Sequence, residues 1–198
     1  MNKNNIDLSI DFCGVKFKNP FLLSSSPVSN SAEMVARSFE AGWSGVVFKT
    51  LNSDTTPIIH PSPRMNGYGY GNKRLVGLQN VEMISDRPLK DNLADFLYLK
   101  KKYPGHVLIS SIMGFSNDEW AYLARVSEDN GADMLELNFS CPHMAVEGAG
   151  HHVGQAFETA IGWIELKEEA FAGHCCLDTR LNVSSPPWFG LLVVALVT

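Results

Sequence analysis

Short apolar segments alternate with amphipathic segments along the first 140 residues. Residues 6–18 alternate apolar and polar side chains in two runs, and this pattern predicts a β-hairpin. Phe21-Leu22-Leu23 begins an apolar run that stops at Ser24-Ser25-Ser26-Pro27, as a buried parallel strand would. From Ser31 the apolar positions lie three to five apart until Gly42, which predicts a helix.

The same order of elements is repeated further along the chain. Strands are expected at Gly45–Phe48, His106–Met113 and Asp133–Asn138, and helices at Pro88–Tyr103 and from Ser116 to about Asn130-Gly131. Ser116 and Glu119 are three apart, so each side chain can satisfy a free amide of the following helix. The stretch of about 35 residues after the second strand is rich in Gly, Pro, Asn and Tyr, and it predicts a long irregular loop.

Four strand–helix units predict an α/β fold with a parallel sheet. In such folds functional groups collect at the carboxyl ends of the strands. Polar or flexible segments follow all four predicted strands: Ser24-Ser25-Ser26, Lys49-Thr50, Met113-Gly114 and Asn138-Phe139-Ser140-Cys141-Pro142-His143. All four segments are expected to face one rim of the sheet.

The composition narrows the class of protein. The 198 residues are 45% apolar and 19% charged, as in one globular domain, and the net charge of −5 argues against a sequence-independent grip on nucleic acid. The expected partner is a small molecule. Cysteines at 13, 141, 175 and 176 form no spaced framework, and the N-terminus has no apolar stretch long enough for an export signal. These features indicate a cytoplasmic protein.

Cys141 is the first candidate for chemistry. It follows a predicted strand and lies in a loop with several glycines. A thiol with a pKa of about 8.5 can act as a proton donor near neutral pH, where a carboxylic acid would usually be ionised. The alternative is a buried small hydrophobe, which is what most free cysteines are.

Two asparagines and a lysine could bind a flat ring. Asn138 and Asn80 each offer a donor beside an acceptor, which matches the N–H and C=O edge of a pyrimidine or a flavin, although either could simply hold a turn. Lys49 follows an apolar strand, where a cation suits an anionic reduced cofactor. The alternative for Lys49 is a side chain that extends to solvent.

A metal site and a dinucleotide site are both disfavoured. Histidines and cysteines occur together in the second half of the chain, but their spacing does not reproduce that of structural zinc sites: Cys141, His143, His151, His152, His174, Cys175 and Cys176. The glycine-rich stretch 148–154 does not close the first strand of its unit, as a dinucleotide fingerprint should.

The sequence resembles the family of flavin-dependent dihydropyrimidine and dihydroorotate dehydrogenases. The resemblance runs from about Asp7 to Glu158. It is carried by the motifs Lys18-Asn19-Pro20-Phe21, Phe39-Glu40-Ala41-Gly42-Trp43, Phe48-Lys49-Thr50, Asn80-Val81-Glu82-Met83-Ile84-Ser85, Ser111-Ile112-Met113, Gly131-Ala132-Asp133 and Leu135-Glu136-Leu137-Asn138-Phe139-Ser140-Cys141-Pro142-His143. The Cys-Pro-His ending and the Asn80/Glu82 segment look more like the dihydropyrimidine branch, since Cys-Pro-Asn is usual in the dihydroorotate branch.

The resemblance implies a TIM (β/α)8 barrel that binds FMN and serves pyrimidine catabolism. The implied reaction reduces uracil or thymine, with hydride delivered from flavin N5 to C6 and a proton delivered to C5 by a cysteine. The implied roles are proton donor for Cys141, substrate binding for Asn80, Glu82, Asn138 and Ser140, and flavin contact for Ser25, Lys49 and Thr50. Electrons would come from NAD(H) through a partner subunit.

Residues 159–198 depart from the family pattern. Only about the first half of an eight-stranded barrel is expected, in residues 1–158, and the later phosphate-binding loops and iron–sulfur cysteines are not found. A truncated or frameshifted product is therefore expected, and the alternative is a genuine short variant with an unusual terminal strand. Weak or absent FMN binding and self-association through exposed sheet edges should follow. The alternatives are an inactive fragment or accessory chain that needs a partner to complete the barrel, and a dihydroorotate dehydrogenase. The apolar run 188–197 is too short to cross a membrane.

Overall fold

The computed structural model describes residues 6–55, 57–70, 74–139 and 192–196. The strands are β1 (Ile10–Phe12), β2 (Val15–Phe17), β3 (Leu22–Leu23), β4 (Gly45–Leu51), β5 (Met65–Tyr70), β6 (Arg74–Asn80), β7 (Val107–Ile112), β8 (Met134–Asn138) and β9 (Leu192–Leu196). The helices are α1 (Ala32–Glu40), α2 (Leu89–Lys102) and α3 (Asn117–Asp129). The predicted elements are confirmed to within a few residues at their ends.

One mixed sheet organises these elements. Its strand order is β3-β4-β7-β8-β9, and the first four strands run parallel. The helices α1, α2 and α3 each connect one parallel strand to the next, so the α/β class with a parallel sheet is confirmed. β9 pairs antiparallel with β8. Closure of the sheet into a barrel, and its restriction to half of one, stay predictions.

The two faces of the sheet are buried by different partners. On one face the strands pack against the helices, with Phe48 against Phe96 of α2 and Trp120 of α3 against Phe139. On the other face the hairpin β1–β2, confirmed as antiparallel, covers an apolar layer formed by Phe17, Leu22, Val47, Val107, Ile109 and Met134. The strands are nearly continuously buried because both faces are covered.

Gly45 allows the strands to approach closely at the start of β4. A Cβ at this position would lie 2.6 Å from the Val107 carbonyl oxygen and 2.8 Å from Leu22 Cδ2. These contacts are shorter than van der Waals distance, so a larger residue would force the neighbouring strands apart. The glycine therefore fixes the spacing between β4 and its neighbours.

The amino terminus of α3 follows the predicted capping pattern. The Ser116 hydroxyl accepts a hydrogen bond from the Glu119 amide at 3.3 Å. Glu119 uses Oε2 to accept the Phe115 amide at 2.7 Å, and its Oε1 accepts hydrogen bonds from the hydroxyls of Ser53 and Thr55. The carboxylate thus joins the start of α3 to the loop after β4.

The long loop after β4 is a correction to the sequence prediction, because it contains a second hairpin. β5 and β6 pair antiparallel with a register shift between Tyr68 and Gly69. All residues of β6 are exposed, so no face is buried and no clear alternation is imposed on the sequence. No helix within the described ranges is long and apolar enough to cross a membrane.

Candidate active site

Period-two alternation brings polar side chains to one face of the sheet near the carboxyl ends of its strands. In β7, Val107 and Ile109 belong to the apolar layer, and Ser111 follows them on the same face. In β8, Met134 belongs to that layer, and Glu136 and Asn138 follow it. The face is therefore apolar at its base and polar at its upper end.

An irregularity in β4 adds two consecutive residues to this polar end. Phe48 pairs with Ser110, but Leu51 pairs with Ile112, so β4 has one extra residue in this interval. Lys49 and Thr50 lie within it, and both are buried. The bulge explains how neighbouring residues of one strand can both contribute to the site.

A hydrogen-bonded cluster of three hydroxyls and one amide joins four strand ends. Thr50 Oγ1 lies 2.8 Å from Ser111 Oγ and 3.4 Å from Ser25 Oγ. Asn138 Nδ2 donates to Thr50 Oγ1 at 3.0 Å. Thr50 is therefore the centre of what we call the hydroxyl–amide cluster, formed by Ser25, Thr50, Ser111 and Asn138.

A chain of charged groups lies beside Lys49. Lys49 Nζ is 3.5 Å from Glu82 Oε1, and the two side chains are 6% and 8% exposed. Arg64 Nη1 is 3.3 Å from the same Glu82 oxygen, and Arg64 Nη2 donates to Asp86 Oδ2 at 2.9 Å. His60 Nε2 lies 3.4 Å from Asp86, and His60 Nδ1 accepts the Met83 amide at 2.9 Å.

The surroundings shift the pKa values of three of these charged side chains. Burial lowers the pKa of Lys49 below its ordinary value, and the charge of Glu82 opposes that effect only in part. Burial and the charge of Arg64 lower the pKa of His60. Burial acts to raise the pKa of Asp86, but the hydrogen bond from Arg64 and the charge of His60 outweigh it, so the net shift is downward.

Glu136 is a site residue that sequence reasoning missed. Burial raises the pKa of its carboxyl group, and a hydrogen bond from Ser111 opposes the shift. Its position two residues before Asn138 in the strand was a usable signal, because i and i+2 share a face of a strand. His60, Arg64 and Asp86 lie in a segment with no buried periodicity, so nothing in the sequence pattern pointed to them.

The structure separates the predicted site residues into groups. Ser25, Thr50 and Asn138 are brought together in the hydroxyl–amide cluster, and Lys49 pairs with Glu82 rather than extending to solvent. Asn80 uses Oδ1 to accept the Glu82 amide at 3.0 Å, so it holds the turn that presents Glu82.

The other predicted residues lie outside the described residues. They are Ser140, Cys141 and the histidines and cysteines considered as metal ligands, namely His143, His151, His152, His174, Cys175 and Cys176. Within the described ranges, no group of three or more His, Cys, Asp or Glu side chains could hold a metal ion.

The donor set at this end of the sheet fits a flavin. The hydroxyls and the amide of the hydroxyl–amide cluster meet at the strand ends, and the buried Lys49 is the neighbour of Thr50 in β4; such groups hydrogen-bond the heteroatoms along a flavin edge. The low pKa of Lys49 reflects a buried cation with incomplete pairing, for which an electron-rich ring would be a further partner. Lys49, Thr50 and Ser25 are therefore the residues that could hold FMN.

Comparisons with known proteins place this site in context. The family model described as dihydroorotate dehydrogenase matches residues 7–189. The chain is 49% identical over 152 residues to the NAD-dependent dihydropyrimidine dehydrogenase subunit PreA of Escherichia coli (strain K12), an alignment that covers 77% of this chain and 36% of that protein.

Two further relatives are more distant. The chain is 38% identical over 171 residues to the chloroplastic dihydropyrimidine dehydrogenase (NADP(+)) of Arabidopsis thaliana, which covers 81% of this chain and 40% of the relative. It is 34% identical over 188 residues to the catalytic subunit of dihydroorotate dehydrogenase B (NAD(+)) of Pyrococcus abyssi, covering 93% of this chain and 57% of the relative. The chain thus spans between about a third and just over half of the length of these relatives.

Proposed function

Because this chain belongs to the dihydroorotate dehydrogenase family, we propose that it is the PreA-like, N-terminal part of an FMN-dependent dihydropyrimidine dehydrogenase. The proposed reaction reduces uracil or thymine to the 5,6-dihydropyrimidine, with electrons from NAD(H) delivered through a PreT-like partner subunit. The observation that carries the proposal is the buried Lys49–Glu82 pair beside the hydroxyl–amide cluster. The higher identity to dihydropyrimidine dehydrogenases supports this branch.

The residues of the site divide between the cofactor and the substrate. Lys49, Thr50 and Ser25 are proposed to hold the FMN ring, and FMN when bound supplies the hydride for C6 of the pyrimidine. Asn138, Asn80, Glu82 and Ser140 are proposed to hydrogen-bond the pyrimidine edge. Since the hydroxyl–amide cluster is already hydrogen-bonded, its side chains would need little reordering on binding.

Cys141 is the proposed proton donor. It lies three residues after Asn138 in the chain, just beyond the carboxyl end of β8. Its Sγ–H bond breaks as a C–H bond forms at C5, which balances the hydride received at C6 and leaves a thiolate. An unperturbed thiol pKa of about 8.5 keeps this proton available near neutral pH.

The organisation of the chain forms part of the proposal. Residues 1–158 are assigned to the FMN-binding, barrel-forming part, and residues 159–198 to a separate C-terminal segment. FMN binding by this chain alone is proposed to be weak. A homo-oligomer and a cytoplasmic location are also proposed.

Dihydroorotate oxidation is the second candidate function. It is favoured by the family model and by the relative from Pyrococcus abyssi, whose alignment covers 93% of this chain.

A third possibility is an accessory chain that needs a partner to complete the barrel, and such a chain would bind FMN only in the presence of that partner. The two alternatives therefore differ in flavin binding and in substrate.

The test measures flavin binding first and turnover second. FMN is titrated into the purified chain by fluorescence quenching, and the FMN-loaded chain is then reduced chemically and mixed with uracil, thymine or orotate while flavin reoxidation is followed. The proposal expects FMN binding and flavin reoxidation by uracil or thymine. The reoxidation should be lost in Cys141→Ala and retained in the matched control Cys13→Ala. Reoxidation by orotate alone would favour the second candidate, and absence of FMN binding would contradict the proposal.

A further inference from the structure

Two cations share one oxygen of Glu82. Lys49 Nζ lies 3.5 Å and Arg64 Nη1 lies 3.3 Å from Glu82 Oε1. Charge-assisted N–H···O contacts are usually about 2.7–2.9 Å long, so neither cation has closed onto the carboxylate. Among the described residues, no ion pair or hydrogen bond is made through Glu82 Oε2. Glu82 is therefore held between two cations at distances longer than the optimum for either.

Asp86 holds Arg64 in this position. Arg64 Nη2 donates to Asp86 Oδ2 at 2.9 Å, the shorter of the two contacts that its guanidinium makes. The backbone supports the same arrangement, since the Arg64 carbonyl accepts the Val81 amide at 2.9 Å. Because its planar guanidinium presents two donors in a fixed geometry, an arginine can bridge two carboxylates that a lysine could not hold in this way.

Burial strengthens the attraction between Lys49 and Glu82. Arg64 is half exposed, with 48% of its side chain accessible, whereas Glu82 and Lys49 are nearly inaccessible. A buried lysine and a buried carboxylate with no other cation nearby would approach each other closely, because burial strengthens their attraction. A close pair would commit at least one of the three ammonium donors of Lys49 to Glu82 and leave fewer for another partner.

We propose that Arg64, anchored by Asp86, is a positioning residue that keeps Glu82 from closing onto Lys49, so that Lys49 retains donors for an electron-rich or anionic ring and Glu82 retains Oε2 as an acceptor. This inference deepens the function proposed above and rests on it for the identity of the ring. The arrangement of the four charged side chains can be tested without any flavin.

The first test measures the titration of Lys49 in the flavin-free chain. The pH dependence of Lys49 acylation, read by mass spectrometry, reports the pKa of its ammonium group. The charged groups facing Lys49 are Glu82, Asp86 and Arg64, with His60 beyond Asp86. Arg64→Lys keeps a positive charge beside Glu82 but cannot bridge Glu82 and Asp86 as the guanidinium does, so Glu82 closes onto Lys49 and the pKa of Lys49 rises. Arg64→Gln should raise that pKa further, because it also removes the positive charge that lowers it directly.

Asp86→Asn gives the opposite expectation. It releases Arg64 towards Glu82 and removes a negative charge near Lys49, so the pKa of Lys49 falls. The matched control is Arg74→Gln, an exposed arginine of the adjacent hairpin β5–β6, which leaves the Lys49 titration as in the original chain. General loosening of the segment around Arg64 and Asp86 would shift the pKa of Lys49 in the same direction in the Arg64 and Asp86 variants. An unshifted Lys49 pKa in Arg64→Lys, or shifts of the same sign in the Arg64 and Asp86 variants, would overturn the proposal.

The second test measures ligand binding. FMN titration should show affinity lowered about tenfold in Arg64→Gln, which corresponds to about 1.4 kcal/mol, and largely unchanged in Arg74→Gln. With the FMN-loaded chain, the KM for uracil should rise more than kcat falls. If no variant and not even the original chain binds FMN, the proposed function fails while the Lys49 titration still decides the role of Arg64. Unchanged FMN affinity in Arg64→Gln would contradict that role.

Discussion

The side-chain amide of Asn138 donates to Thr50 Oγ1 at 3.0 Å, although 88 residues separate the two in the chain. The bond connects the carboxyl ends of β4 and β8 across β7, which lies between them in the sheet. Ser111 at the end of β7 bonds the same threonine oxygen at 2.8 Å. One hydroxyl group thus fixes the relative positions of three strand ends before any ligand is present.

Removing this hydroxyl should destabilise the chain. Thr50→Val keeps the shape of the side chain but removes the oxygen that the side chains of Ser111 and Asn138 share, and losing these two hydrogen bonds should cost about 1–3 kcal/mol of unfolding free energy. Urea denaturation measures the loss. Thr50→Ser, which keeps the hydroxyl, serves as the control and should lose clearly less, and equal losses in the two variants would show that the methyl group matters instead.

Ionisation of Glu136 should lower the free energy of unfolding as the pH rises. Burial raises the pKa of its carboxyl above the ordinary value of 4.5, so the folded state holds the proton more tightly than the unfolded state does. The stabilising contribution is complete below pH 4.5 and is lost as the pH rises through the folded-state pKa. Glu136→Gln should therefore be more stable than the original chain at neutral pH, with the difference vanishing in acid. Thermal denaturation across this range measures it, and an equal or lower stability of the variant at neutral pH would contradict the expectation.

Glu119 should show the opposite dependence. Burial acts to raise its pKa, but hydrogen bonds from Thr55, Ser53 and the Phe115 amide outweigh burial, and the net pKa lies below 4.5. Its contribution to stability is therefore present above pH 4.5 and is lost as the pH falls through the folded-state value. Glu119→Gln should lower the unfolding free energy at neutral pH by about 1–2 kcal/mol and flatten the acid limb of the stability profile. Asp118→Asn, on the exposed side of the same helix turn, is the matched control, and an acid limb as steep as before in Glu119→Gln would exclude this role.

Much of the fold was predictable because burial leaves a periodic trace. β4, β7 and β8 are buried on both faces and are therefore apolar runs, while α1 and α3 follow the helical period and are capped at their amino termini by Ser31 and Ser116. The hairpin β5–β6 was missed for the converse reason, since its strands are exposed and rich in glycine. Pairing partners of a strand that buries nothing cannot be read from its own pattern.

The candidate site was predictable only where it is part of the sheet. Thr50 and Asn138 were expected at the rim because they end apolar strands, and Lys49 was expected there for the same reason. The bulge that buries Lys49 and Thr50 together is set by pairing with β7, which is a tertiary relationship. Arg64, Asp86 and His60 come from the segment around the second hairpin, and their convergence on Glu82 depends on how that segment folds back.

Replacing Lys49 should separate stability from cofactor binding. Lys49→Met removes a buried ammonium whose pairing with Glu82 is long, and a hydrophobic side chain of similar length replaces it, so the unfolding free energy should change little. Arg64 remains as a cation partner for Glu82 and prevents the carboxylate from being left unpaired. If Lys49 contacts FMN, however, the affinity for FMN should fall by about tenfold or more, equivalent to at least about 1.4 kcal/mol.

Urea denaturation and FMN fluorescence titration on the same preparations measure the unfolding free energy and the FMN affinity of Lys49→Met. Lys100→Met is the comparison, because that lysine pairs with Asp133 at 2.7 Å, and its loss should lower stability without a comparable effect on FMN. An FMN affinity unchanged in Lys49→Met would remove Lys49 from the proposed cofactor site, whatever its effect on folding.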